Sequence, residues 1–167
     1  MSGRTLGKDV GMDTEYSSES LVDEARALQL SGFTTADAIS LGTLAVERGT
    51  AQGLGIVIMI RHTGRTVFQA ALPGSVADSD EWVIRKARTV ERFGISTLAQ
   101  FVRAHERGRD FHAAHFLSPS DYAAYGGGIP VEVASVGVVG GFYASGLPHL
   151  DDHNFLVTVL AEFRDRI

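Results

Sequence analysis

What most constrains this chain is the spacing of its strand-forming sequence. Leu54 to Ile60 is an unbroken apolar run, bounded by a glycine and by Arg61-His62-Thr63-Gly64. Thr66 to Leu72 resumes after Gly64-Arg65 and stops at Pro73-Gly74, so the two stretches read as an antiparallel hairpin. Far along the chain, Ile129 to Val133 and Val136 to Tyr143 are rich in β-branched and aromatic residues and are parted only by Ala134-Ser135. That pattern predicts a second hairpin. Two hairpins separated by a helical block are most economically joined in one antiparallel sheet, with helices packed against it. The first strand has no polar side chain to face water, so it is expected to be central and covered on both faces.

The segments between and around the strands carry helix punctuation. Ser20 with Asp23 resembles a capping pair ahead of Leu21, Ala25 and Leu28, and Thr34 with Asp37 repeats it ahead of Ala38, Leu41, Leu44 and Ala45. Asp78 with Glu81 is the expected cap of a third helix, whose inward stripe is Val83, Ala87 and Val90. Ser96 opens a fourth helix through Leu98, Phe101, Val102 and His105 to Gly108, and Ser118-Pro119 with Asp121 predicts a short one ending at Gly126. After the second hairpin, Ser145-Gly146-Leu147-Pro148 turns the chain, and Phe155, Leu156, Val159, Leu160 and Phe163 then repeat at helical spacing. The expected fold is α+β, an antiparallel sheet of two hairpins flanked by helices, similar to the profilin or PAS type. Residues 1–17 are rich in Gly, Ser, Asp and Thr with few large apolar side chains and are expected to be a mobile tail, leaving 18–167 as a single domain.

Composition narrows the partners. A net charge of -5 argues against a nucleic-acid surface, which needs clustered Lys and Arg. The chain has no cysteine, so it has no disulfide framework, no thiolate nucleophile and no cysteine-ligated metal, and a cytoplasmic location is expected. Met1 to Asp13 lacks the apolar core of a signal peptide, and runs such as Ile56 to Ile60 fall far short of the roughly 20 residues that span a bilayer, so no membrane partner is expected. The edges of a small sheet need covering, and self-association into a homo-oligomer is one solution.

Few residues carry recognisable chemistry. Arg85, Arg88 and Arg92 lie three and four apart on the third helix and share a face, which suits either an anion or salt bridges to Glu81, Glu91 or another subunit. Lys86, four residues after Trp82, is placed to pack over the indole. His112 with His115 and His149 with His153 are spaced to share a helix side, but neither pair sits in a zinc pattern, and no metal is expected. Gly137, Gly140 and Gly141 thin the last strand, either for a close approach of something to its backbone or for tight packing. The corner at Ser145 to His153 combines the free N–H groups of a helix start, a hydroxyl and His153. Either an external carboxylate or the chain's own Asp151 and Asp152 can take those donors. The residues alone do not reveal a reaction.

Several blocks resemble one family. F-T-T-A-D-A-I-S-L-G (33–42), A-L-P-G-S (71–75), D-E-W-V-I-R-K-A (80–87), V-E-R-F-G (90–94), V-G-V-V-G (136–140) and S-G-L-P with D-D-H (145–153) are similar to the haem-degrading-domain superfamily, in its short uncharacterised branch. From about Leu21 onward, the resemblance implies a profilin-like fold, homo-oligomeric assembly and association with haem or another small ligand. The matching positions are Trp82, Arg85 and Lys86 on the helix, and Ser145, Gly146, Pro148, Asp152 and His153 at the corner. Relatives often carry a cysteine where this chain reads Gly127-Gly128-Ile129, so a thiol role does not transfer. The leading expectation is haem, or a small anionic molecule, held between the Trp82 to Arg92 helix and the corner. Arg85 and Lys86 would neutralise a carboxylate, and His153 would ligate iron or donate a proton. The other expectation is a non-enzymatic assembly module in which the same charges form salt bridges between subunits.

Overall fold

The first strand shows how the layers are built. In this computed structural model, which describes residues 16–167, Ile56, Ile58 and Ile60 turn into one core while Val57 and Met59 turn into another. An apolar run with no alternation is therefore what a strand between two packed layers requires. The elements are α1 (Ser18–Ala27), α2 (Thr35–Ala51), β1 (Val57–His62), β2 (Arg65–Ala71), α3 (Asp78–Phe93), α4 (Thr97–Glu106), α5 (Phe111–His115), β3 (Gly128–Val133), β4 (Gly137–Ser145) and α6 (His149–Arg164). The strands lie in the order β2-β1-β4-β3, and every named pair is antiparallel. The two hairpins thus meet along β1 and β4, where Val57 pairs with Ser145 and His62 with Gly140.

Helices α2 and α6 cover one face, through Leu41, Leu44, Leu156 and Leu160 against Ile58, Phe142 and Ala144. On the other face α3 lays Val83, Ala87 and Val90 against Val57, Met59 and Tyr143. A third cluster, Leu21, Leu98, Ala99 and Val102, fastens α1 to α4. Among the described residues no helix is long and apolar enough to cross a membrane.

The local signals are resolved differently in places. Thr34 and Asp37 form the expected reciprocal cap. At α1 the cap is Ser17 with Ser20 as its partner, one turn before the predicted Ser20 and Asp23, because Ser20 serves as the third position of the box and Asp23 pairs with Arg26. Tyr16 and Ser17 therefore belong to the fold, with Tyr16 packing beside the α1–α4 cluster. The remainder of the expected tail, residues 1–15, lies outside the described residues. Asp78 does not cap α3; its carboxylate accepts from the Trp82 indole N–H at 3.1 Å. The helix predicted from Ser118 is a turn, and the short helix forms earlier, where Asp110 caps the Ala113 N–H at 2.8 Å and Phe111 is buried. β4 runs past Tyr143 to Ser145, so the turn begins only at Gly146. The thin strand serves packing: a Cβ at Gly140 would lie 2.2 Å from the Arg61 carbonyl oxygen, and one at Gly141 would strike the Tyr143 hydroxyl.

Candidate functional site

Three backbone segments converge on one side chain, Lys86. Its position on α3, one residue before the inward Ala87, aims it at the end of β4, and it is 2% exposed. Lys86 Nζ donates to the Ala144 carbonyl oxygen at 2.9 Å and to Asp152 Oδ2 at 3.3 Å. The other carboxylate oxygen of Asp152, itself 2% exposed, accepts the Leu147 N–H at 3.1 Å. Asp152 thus takes a donor at the start of α6 for itself, so an incoming anion does not find that N–H free. Burial pushes the Lys86 amine below its ordinary range, and Asp152 opposes the shift. Burial likewise raises the Asp152 carboxyl, against the pull of Lys86 and the Leu147 N–H. Both groups are therefore drawn toward their neutral forms.

Glycine makes room for the pair. At Gly127, with φ of 117°, an added Cβ would sit 2.4 Å from the Ala144 oxygen and 2.5 Å from Lys86 Nζ. Gly146, with φ of 143°, brings the chain against Gly55, whose oxygen would lie 2.4 Å from a Cβ there. Only glycine tolerates both the backbone angle and the contact.

Beside the pair opens a cavity of about 310 Å³, lined by Asp78, Ser79, Trp82, Lys86, Tyr125, Ser145, Gly146, Leu147, His149 and Asp152. Trp82 and Tyr125 meet edge to face, and Tyr125 packs in the same way on His149. The Gly126 N–H donates to His149 Nδ1 at 3.1 Å, which leaves the proton of the neutral ring on Nε2. Burial, with Lys86 and His153 nearby, holds His149 below its ordinary value and so favours that neutral ring.

Of the seven residues expected at a ligand site, Trp82, Lys86, Ser145, Gly146 and Asp152 share this cavity. Arg85 lies outside its lining, with its guanidinium 4.0 Å over the Trp82 ring, in the place expected for Lys86. The swap follows from burial: Lys86 is drawn inward to Asp152, while Arg85, one residue earlier, turns outward. Arg88 reaches Asp121 at 3.8 Å, and Glu91 pairs with Arg61 at 2.9 Å. His153 faces away from the cavity, toward α1, where its Nε2 lies 2.7 Å from Glu24 Oε1. His149 and His153 thus have different partners in spite of their spacing.

Ser79, Tyr125 and His149 were not expected at the site. Ser79 and Tyr125 have no sequence signal that marks them, and His149 stood out only as half of a histidine pair. Gly126 and Gly127 serve close packing around His149 and Lys86.

The chain is 42% identical over 143 residues to the UPF0303 protein SCO2848 of Streptomyces coelicolor, a match covering 86% of this chain and 90% of that one. Among solved structures, the Ybr137w protein superposes with a TM-score of 0.82 at 27% identity, covering 91% of this chain and 90% of that one. The PduOC:heme complex superposes with a TM-score of 0.66 at 19% identity, over 79% of this chain and 94% of that one, which shows a shared fold. Residues 33–161 match the family model described as haem degrading protein HbpS-like, and the chain belongs to that family.

Proposed function

We propose that this protein binds one small molecule bearing a carboxylate or carbonyl oxygen, in the cavity between α3 and the β4–α6 corner. The observation that carries the reading is Lys86, a buried ammonium that lines the cavity with three N–H donors and has two acceptors among the described residues. Its remaining donor, His149 Nε2–H and the hydroxyls of Ser79 and Ser145 favour an oxygen-bearing ligand. Trp82 and Tyr125 offer a wall for an apolar body. The volume sits at the small end of ligand pockets, which run from about 300 to 1,000 Å³.

Haem is the ligand named by the family description and by the heme complex of a structural neighbour. The lining of this cavity offers its iron no free histidine nitrogen: on His149 the Gly126 N–H already occupies the ring nitrogen that has a lone pair. His153 is turned to Glu24. We derive no step through haem.

Self-association is part of the same reading, because β2 stands at the edge of the sheet. The cysteine-free composition favours a cytoplasmic setting.

Calorimetric titration of the purified chain with a panel of short carboxylates, 2-oxo acids, aldehydes and haemin tests the reading. We expect saturable binding of a small oxygen-bearing compound, weakened in Trp82→Ala, and no Soret shift that depends on His149. A stable oligomer that binds nothing in the panel would leave the assembly role instead.

A further inference from the structure

The chain contains two lysines, Lys8 and Lys86, against thirteen arginines. Lys8 lies outside the described residues. Histidines aside, every other basic residue is arginine, the better partner for a carboxylate because its planar fork binds both oxygens and its charge is permanent. Among the described residues, the one lysine or arginine position that is buried, at 2% exposure, nevertheless carries lysine. What lysine offers and arginine does not is an amine that can lose its proton and attack.

We propose that Lys86 is a nucleophile, and that its amine condenses with the carbonyl carbon of a small aldehyde or 2-oxo acid bound in this cavity to form an imine. The inference rests on the ligand reading above and adds the bond that forms. Its geometry is that of an activated amine. Asp152 Oδ2 is 3.3 Å from Nζ, and no side chain at Gly127 crowds that nitrogen. Ser145 and His149 Nε2–H line the same space, as donors for the carbonyl oxygen or for the carboxylate of a 2-oxo acid. Burial acts in the same direction, since it favours the neutral amine and the neutral carboxyl.

The step balances within the pair. The Lys86 ammonium passes one proton to Asp152 Oδ2, and the free amine adds to the carbonyl carbon. The carbonyl oxygen takes a proton from the nitrogen to give a carbinolamine. Asp152 then returns its proton to that hydroxyl, which leaves as water. The product is an iminium on Lys86 facing the Asp152 carboxylate, so the charge of the pair is the same before and after, and one water is released.

The native full chain is incubated at mildly alkaline pH with glyoxylate, pyruvate or propionaldehyde, with and without sodium cyanoborohydride. Intact mass and peptide mapping then locate any reduced adduct, and calorimetry reads binding separately. Lys8 serves as the internal standard for unspecific reaction. The expected result is a reductant-dependent adduct with at least one of the three, predominantly on Lys86, with the yield reduced about tenfold or more in Asp152→Asn. An adduct as abundant on Lys8 as on Lys86 overturns the proposal. So does measurable binding with no Lys86 adduct, a result that leaves the ligand reading standing. Neither heat nor adduct with any carbonyl or carboxylate tried removes both.

Discussion

Replacing Lys86 with methionine, which keeps the apolar stem and removes the ammonium, tests the energetics of the site most directly. Two buried acceptors lose their donor together, Asp152 Oδ2 and the Ala144 oxygen. Removing one member of a buried ion pair costs about 3–5 kcal/mol, because the partner is left charged in a medium that solvates it poorly. Asp152 has an escape, since burial already raises its carboxyl and protonation relieves the stranded charge. The expected loss is therefore about 3 kcal/mol at neutral pH and less in mild acid. For a domain of this length each kcal/mol lowers Tm by about 2–4 °C, so Lys86→Met should melt about 6–12 °C below wild type. Urea denaturation followed by far-UV circular dichroism gives the free energies, with Asp152→Asn and the double variant completing a cycle. The double variant should lie about 2 kcal/mol closer to wild type than the sum of the single losses, the coupling expected of groups in contact. A loss below about 1 kcal/mol for Lys86→Met, the range of exposed pairs, would refute the buried-pair account. Additive single losses would refute it as well.

Other outcomes follow from the same geometry. Gly127→Ala should cost about 1–3 kcal/mol in urea midpoint experiments, from backbone strain at φ 117° and contact with Lys86 Nζ; unchanged stability would deny the close approach. Tyr143 is fully buried, and its hydroxyl has no partner among the described residues. Tyr143→Phe should therefore be neutral or stabilising by up to about 1 kcal/mol, and a comparable loss would reveal a hidden partner. His149 is held below its ordinary value of 6.5, so as pH falls below that value the unfolded chain takes up a proton before the folded chain does. Stability should fall with pH there, by at most about 1.4 kcal/mol per unit, and His149→Gln should remove that component of the wild-type slope. Identical pH profiles for the two proteins would refute the assignment.

The architecture was legible because strand signals depend on composition that survives tertiary context. The run from Ile56 to Ile60 had to lie between two layers, and Thr34 with Asp37 capped as read. Signals resting on one short polar residue were less secure. Ser20 was a real capping residue in the wrong role, and where Ser118-Pro119 predicted a helix the chain makes a turn, the short helix being capped upstream by Asp110 with Phe111 buried. The site was legible as two segments and obscure as an arrangement. Spacing put Lys86 over Trp82 as readily as Arg85, and only the position of β4 and Asp152 decides which one turns inward. Likewise, nothing in the interval from His149 to His153 tells that one ring receives the Gly126 N–H while the other meets Glu24 on α1.

The pairing of β1 with β4 also governs how the molecule comes into being. Val57 and Ser145 are neighbours across the middle of the sheet, yet the whole block from β2 to β3 lies between them in the chain. During synthesis α2 is already made when the first hairpin emerges and can cover its isoleucine face, but the edge of β1 that pairs with β4 stays open until β4 has been made. Pairing at such separation is slow, and an apolar strand waiting for its neighbour is open to the wrong one. The nascent chain is thus most in need of a chaperone over the interval in which α3 to α5 are being added.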